Sequence, residues 1–212
     1  PALPIVADST AFLAAAAALQ PLDASRWAAW TAAARADFLA WLRHDRGDRA
    51  LDLGDVLAHL RDRLPRDAIL TNGAGNFTVW AHRFYAFRSY RTQLSPCSGA
   101  MGYGVPAAVA AKVVHPERLV VCIAGDGDFL MSGHELAAAH QEGAAIVVLL
   151  VNNGMYGTIR MHQERQFPGR VIGTDLENPD FVGLAEAYGA YAESVVRSED
   201  FAEAFERALA AA

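Results

Sequence analysis

The chain has 212 residues, 53% of them hydrophobic and 20% charged, with a formal net charge of −6. That is enough for one large domain, or one domain and an arm, around a well-buried core. Nothing in the acidic balance suggests a nucleic-acid surface, which needs a basic patch, and no run reaches the roughly 18 to 20 apolar residues of a membrane helix.

From the N-terminal side, Asp8-Ser9-Thr10 caps a predicted helix running to Leu19, ended by Pro21. This apolar run is short and lacks the basic leader of a signal peptide. Asp23-Ala24-Ser25 starts a second helix, with Trp27, Trp30, Phe38, Trp41 and Leu42 at roughly helical spacing. The stripe reads first as packing against the main domain; exposed tryptophans would instead mark an interface with another domain or subunit. Residues 44–52 form a charged, Gly-containing linker, which makes residues 1–50 a helical arm and 51–212 the main domain. There, residues 53–64 read as an amphipathic helix stopped by Pro65, and 68–71 as a strand. The turn Asn72-Gly73-Ala74-Gly75-Asn76 follows, then a helix over 77–85. Gly73 and Gly75 begin a dinucleotide fingerprint, but Thr78 stands where its third glycine belongs. Residues 91–94 read as a second strand and 95–99 as a loop. Residues 101–114 read as a helix that tolerates Pro106 in its first turns. The two cysteines, Cys97 and Cys122, form neither CxxC nor a disulfide framework, as expected of a reduced, cytoplasmic protein.

The central stretch, Val120 to Thr158, organises the rest. An apolar run over 119–124 ends in Gly125-Asp126-Gly127, a helical segment follows, and a second run over 146–151 ends in Asn152-Asn153-Gly154. Two short β-rich runs around one helix predict a right-handed βαβ unit. Both polar clusters then fall at the carboxyl ends of parallel strands, where open α/β sheets bind ligands. Asp126 offers a carboxylate and Asn153 an amide oxygen, which suit a hard cation such as Mg²⁺ shared with phosphates. Asn152 reads as support for the turn. Gly125 and Gly127 let the backbone approach a phosphate. As a lone residue, Asp126 would read as a helix cap; the two asparagines at this spacing favour the metal. Further on come a helix over 158–165, a loop through Pro168-Gly169, a helix over 180–188, a strand over 192–196 and a last helix from Ser198 to Leu209. The alternation predicts an α/β fold: a doubly wound, mainly parallel sheet with helices on both faces, plus the N-terminal helical arm. A calcium loop starting at Asp126 fails, with Met131 for its glycine and Ala137 for its glutamate. A zinc HExxH fails because His140 follows His134 by six positions, and neither a GxSxG elbow nor a Walker A loop is present.

Gly125-Asp126-Gly127, then residues 128–151, then Asn152-Asn153, resembles the signature of thiamine-diphosphate-dependent enzymes, in particular the acetolactate synthase and pyruvate oxidase group. Residues 99–108, GAMGYGVPAA, resemble the segment that holds the aminopyrimidine ring in that group. The likeness runs from Leu51 to the C-terminus. It implies thiamine diphosphate and Mg²⁺ as cofactors, with Asp126, Asn153 and the carbonyl of Met155 as metal ligands. It implies diphosphate contacts from Gly75, Asn76, Gly125, Gly127 and Asp128, and from the N–H groups of Gly157 and Thr158. Met101 would wedge between the cofactor rings, and the Gly99 carbonyl would accept from the 4′-amino group. As a lone residue, Met101 reads as core.

The resemblance further implies a 2-oxo acid substrate, decarboxylation with the thiazolium ring as electron sink, and a homodimer or homotetramer whose site is shared with another domain or subunit. It assigns no catalytic residue to this chain, because the activating glutamate belongs to an N-terminal domain; the chain alone is expected to be inactive. FAD in a longer enzyme is allowed, and no residue here decides it. PALPIVADSTAFLAAAAAL resembles the end of the group's middle domain, a short strand, Asp8 and a helix, so the chain is expected to be the C-terminal part of a longer enzyme. Two departures leave the activity open: His162 stands where acetolactate synthases carry tryptophan, and Ile159 where pyruvate decarboxylases carry glutamate. The alternative is a stand-alone cofactor-binding or interaction module without catalysis.

Overall fold

The structure, a computed structural model, describes residues 3–212 and separates into two units, Pro1–Arg43 and His44–Ala212. In the first, α1 (Ser9–Ala17) starts at Asp8, whose carboxylate accepts from the N–H groups of Thr10 and Ala11 at 2.9 Å. α2 (Ser25–Trp41) starts beside Asp23, which accepts from the Ser25 N–H at 3.0 Å. Neither helix buries a residue, and Trp30 is 75% exposed. A helix needs a facing layer to enclose its apolar stripe. The strand expected before Asp8 is not formed over residues 3–7, which join no ladder; Pro1 and Ala2 lie outside the described residues.

Residues 44–52, expected as a linker, are instead folded into the second unit. Asp52 is 1% exposed and caps α3 (Leu53–Arg63), accepting from the Gly54 N–H at 2.7 Å and from Arg49 Nε at 2.8 Å, with His44 Nε2 3.0 Å from its carboxylate. Its own N–H donates to Ser198 Oγ at 2.9 Å. A buried charge must be paired, and this one draws the charged stretch inward.

The sheet has four parallel strands, β1 (Ile69–Asn72), β2 (Gln93–Leu94), β3 (Val120–Gly125) and β4 (Val147–Val151), in the order β2-β1-β3-β4. β3 is buried along its whole length, as a strand covered on both faces must be, which is why it reads as a continuous apolar run rather than an alternation. Val121 and Ile123 point to one face, beneath α3, α4 (Asn76–Phe84) and α10 (Ser198–Ala211), among Leu57, Leu60, Phe84 and Phe205. Val120, Cys122 and Ala124 point to the other, beneath Val105 and Ala108 of α5 (Gly104–Val114) and Phe129. This is the doubly wound arrangement expected. Among the described residues no helix is long and apolar enough to cross a membrane.

Several elements differ from expectation for local reasons. β2 cannot begin at Arg91, whose φ is +57°, and α5 cannot include Gly102, whose φ is +80°. The single helix expected after Asp126-Gly127 is broken into α6 (Asp126–Phe129), a 3₁₀ turn (Gly133–Glu135) and α7 (Leu136–Gln141), with Ser132 at φ −144° interrupting the helical path. α8 (Gly157–Gln166) and α9 (Phe181–Ala187) lie close to expectation. Residues 192–196 are not a strand: Val195 reaches the core, but the segment joins no ladder and Glu193 is held by Arg207 of α10 at 2.9 and 3.0 Å.

The chain leaves β1 towards β2 and β3 towards β4, so connections diverge between β1 and β3 and open a crevice at their carboxyl ends. The cap network at Asp52 gives a direct test. Asp52→Ala should lower stability in guanidinium denaturation by about 1–3 kcal/mol, from the lost cap and the partners left behind. Asp48→Ala, at an exposed position, should change it by less than about 0.5 kcal/mol.

Candidate cofactor-binding site

Asp126 follows the buried β3 and is only 2% exposed. Its Oδ1 accepts from the Gly127 N–H at 2.9 Å; its Oδ2 accepts from the Gly154 N–H and from Asn178 Nδ2, both at 2.8 Å. A carboxylate has about four acceptor sites, so the open one is on Oδ1. Beyond β4, Asn152 Oδ1 accepts from Asn178 Nδ2 at 2.8 Å and from the Gly154 N–H at 3.3 Å. Asn153 Oδ1 accepts only a long bond, 3.2 Å, from the Met155 N–H. Gly154 has φ +67°, the left-handed turn that glycine makes without strain. A strap from residues 174–178 holds this turn: the Tyr156 N–H donates to the Thr174 carbonyl and the Leu176 N–H to the Gly154 carbonyl, both at 2.8 Å.

Asp128 joins three segments. Its Oδ1 accepts from the Ala74 N–H at 3.1 Å and from the Gly102 N–H at 2.8 Å. Burial pushes its carboxyl above the usual carboxylate range, more than these two bonds pull it down. A Cβ on Gly73 would lie 1.9 Å from Asp128 Oδ1, and one on Gly127 would lie 2.4 Å from the Tyr156 ring. Glycine at both positions permits close approach. Thr158 Oγ1 donates to Asn76 Oδ1 at 2.9 Å, tying the first turn of α8 to that of α4.

These residues surround a cleft of about 380 Å³ at the divergence of the strands. Gly75, Asn76, Gly99, Met101, Gly125, Asp126, Gly127, Asp128, Asn153, Met155, Gly157 and Thr158 all line it. Leu53, Phe77, Trp80, Val151 and Ile159 supply an apolar wall. Carboxylate, amide and carbonyl oxygens together suit a hard divalent cation. α4 and α8 both begin at the cleft, and helix starts suit a phosphate; the Gly157 N–H donates to the Met155 carbonyl at 3.0 Å. The donor set, with Gly75, Gly125, Gly127 and Gly157 lining the cleft without side chains, thus fits a metal–diphosphate group. A second cluster, His44, Asp52 and Asp55, holds ligand atoms within 4.8 Å of one another. Arg49 at 2.8 Å from Asp52 and Arg46 at 3.7 Å from Asp55 already neutralise it, so it is a structural ion network.

Residues 73–212 match the family model described as thiamine pyrophosphate enzyme, C-terminal TPP binding domain. The chain belongs to this family. It is 34% identical over 192 residues to the acetolactate synthase isozyme 2 large subunit of Escherichia coli K12, covering 90% of this chain and 35% of that protein. It is 35% identical to the acetolactate synthase large subunit of Corynebacterium glutamicum, covering 97% and 35%. Among solved structures it is similar to the thiamine diphosphate-dependent 4-hydroxybenzoylformate decarboxylase of Rhodococcus jostii RHA1, with TM-score 0.74 and 33% identity over 80% of this chain and 32% of that one. The chain thus spans about a third of the length of these relatives.

In this thiamine pyrophosphate-binding domain the glycine and asparagine motifs come together as their spacing implied. Sequence reasoning missed the wall residues Leu53, Phe77 and Trp80, which read as ordinary helix-face residues, and it missed Asn178, whose partners Asp126 and Asn152 lie 52 and 26 residues away along the chain. His162 does not line the cleft, whereas Ile159 does. Gly73→Ala should drive the Asp128 carboxylate from its place. Amide hydrogen exchange at Ala74 and Gly102 should then accelerate, while exchange along β3 stays slow; unchanged protection at both amides would contradict the close-approach account.

Proposed function

We propose that this chain supplies the diphosphate- and cation-binding half of the active site of an acetolactate-synthase-like enzyme that decarboxylates or ligates 2-oxo acids. The observation that carries this reading is the convergence of Asp126, Asn153 and the turn through Gly157 on one cleft at the divergence of β1 and β3. Asp126 Oδ1, the Asn153 side-chain oxygen and the Met155 carbonyl are assigned to Mg²⁺. Two carboxylates, Asp126 and Asp128, line the same cleft; an anionic diphosphate is repelled from such a site unless a cation stands between. The N–H groups of Gly157, which here donates to the Met155 carbonyl at 3.0 Å, and Thr158 would hold the diphosphate, and Gly125, Gly127, Gly75 and Asn76 would let it approach. Met101 would pack against the cofactor's rings, and the Gly99 carbonyl would accept a hydrogen bond from the 4′-amino group. Thiamine diphosphate, when bound, supplies the ring that accepts the electron pair left by decarboxylation.

Partners and setting follow the same proposal. The relatives' greater length supports a further domain that brings the activating glutamate. The arm, expected over residues 1–50 and ending at Arg43 in the structure, is assigned to the preceding domain, and its exposed Trp27, Trp30 and Trp41 favour an interface role. A cytoplasmic homodimer or homotetramer is the expected assembly. The free thiols of Cys97 and Cys122 are consistent with a reducing compartment.

Calorimetry tests the cation site. Asp126→Ala in the full-length enzyme should abolish Mg²⁺-dependent binding of thiamine diphosphate, and unchanged affinity would sink the assignment. A turnover assay tests the division of labour. The 212-residue chain, given Mg²⁺, thiamine diphosphate and pyruvate, should release no CO₂ and form no acetolactate; turnover would place the proton-transfer group within this chain.

A further inference from the structure

We infer that Asn178 is a positioning residue that selects which oxygens of the metal turn remain free for the cation, an inference that rests on the cation reading above. Its amide nitrogen donates to Asp126 Oδ2 and to Asn152 Oδ1, both at 2.8 Å. A carboxylate only accepts, so the partner at Asp126 fixes which end of the amide is nitrogen, and both of its hydrogens are used. Asn178 Oδ1 is buried and has no partner among the described residues. The side chain therefore acts through its donors alone, at the expense of an unsatisfied acceptor.

The effect on the turn is selective. With Asn178 in place, Asp126 Oδ2 carries two donors and Asn152 Oδ1 carries two, including the Gly154 N–H. Asp126 Oδ1 keeps an open site, and Asn153 Oδ1 holds only the long bond from Met155. Asp126 and Asn153 line the cleft, while Asn152 and Asn178 do not. Of two adjacent asparagines, one is thus bound into the scaffold and the other is left at the cleft. Asn178 ends the strap that already fastens Gly154 and Tyr156 through Leu176 and Thr174, so the carboxylate rotamer, the asparagine choice and the backbone turn are set from one segment. Without the amide, Asp126 can rotate and Asn152 is released to compete. Groups that orient metal ligands in this way typically change metal affinity by about ten- to a hundredfold.

The test uses the full chain with Mn²⁺ as a spectroscopic stand-in for Mg²⁺. Mn²⁺ binding is followed by electron paramagnetic resonance in wild type, Asn178→Ala, Asn178→Leu and Asp126→Ala. Asn178→Leu fills the space without donors, so it separates lost donors from a lost volume. Both Asn178 variants should weaken Mn²⁺ binding by about ten- to a hundredfold. Thiamine diphosphate affinity, measured by calorimetry, should fall at limiting Mg²⁺ and recover at saturating Mg²⁺. A merely structural role would lower the melting temperature with no recovery by Mg²⁺, and that outcome overturns the proposal. Loss confined to Asp126→Ala overturns it too and leaves the cation site standing. Wild-type Mn²⁺ binding by Asp126→Ala would sink the cation reading, and this inference with it.

Discussion

The parallel pairing of β1 with β3 is the constraint on which the site depends. Asn72 pairs with Ile123, so the two strands end almost level, and the chain then departs to opposite sides. Backbone beyond the last ladder pair needs other partners. Asp128 provides them, taking the N–H of Ala74 from the β1 loop and that of Gly102 from the loop before α5. The carboxylate is desolvated by this placement, as its raised pKa reflects. It is nevertheless the short connection that keeps the loop carrying Met101 beside the end of β3. Gly73 is small because that carboxylate fills the space a side chain would need.

What could be read from the sequence follows from the same geometry. β3 and β4 were legible because both are apolar runs, β3 buried along its whole length and β4 half-buried at the sheet edge, and their ends are marked by glycine and asparagine turns. Asp126 and Asn153 were legible for the same reason: each closes a run, and parallel strands bring their carboxyl ends together. The helix after Gly127 was less so. Its apolar spacing suits one continuous helix, yet Gly133 packs so closely on the Phe129 ring that a Cβ there would lie 2.6 Å away, and the path breaks at Ser132. Residues 192–196 have the composition of a strand, but composition cannot show that no neighbouring strand receives them.

Long-range polar contacts were the least legible. A charged, glycine-containing stretch looks the same whether it is a solvated linker or a folded ion network. The partners that decide the matter for residues 44–52 include Ser198 and Glu199, far along the chain. Asn178 has the same character. Asn-Pro-Asp before a helix signals turn and cap chemistry, and Asp180 does cap α9, accepting from the Val182 N–H at 3.1 Å. Nothing local in that tripeptide points to Asp126.

The hydrogen bonds of the two cleft carboxylates also bear on which chemistry this domain can perform. A general acid or base must exchange its proton without dismantling its surroundings. Asp126 already accepts three hydrogen bonds and Asp128 two, each from backbone or amide donors that hold neighbouring segments in place. Protonating either would weaken bonds that fix the turn at Gly154 or the loop at Gly102. Such groups are suited to binding and orientation, where a rigid arrangement lowers the cost of ordering a ligand. Trp80, Met101 and Ile159, which carry no titratable group, line the same cleft. A cleft lined by hydrogen-bonded carboxylates and by apolar side chains is therefore built to bind and orient a ligand with both charged and apolar parts.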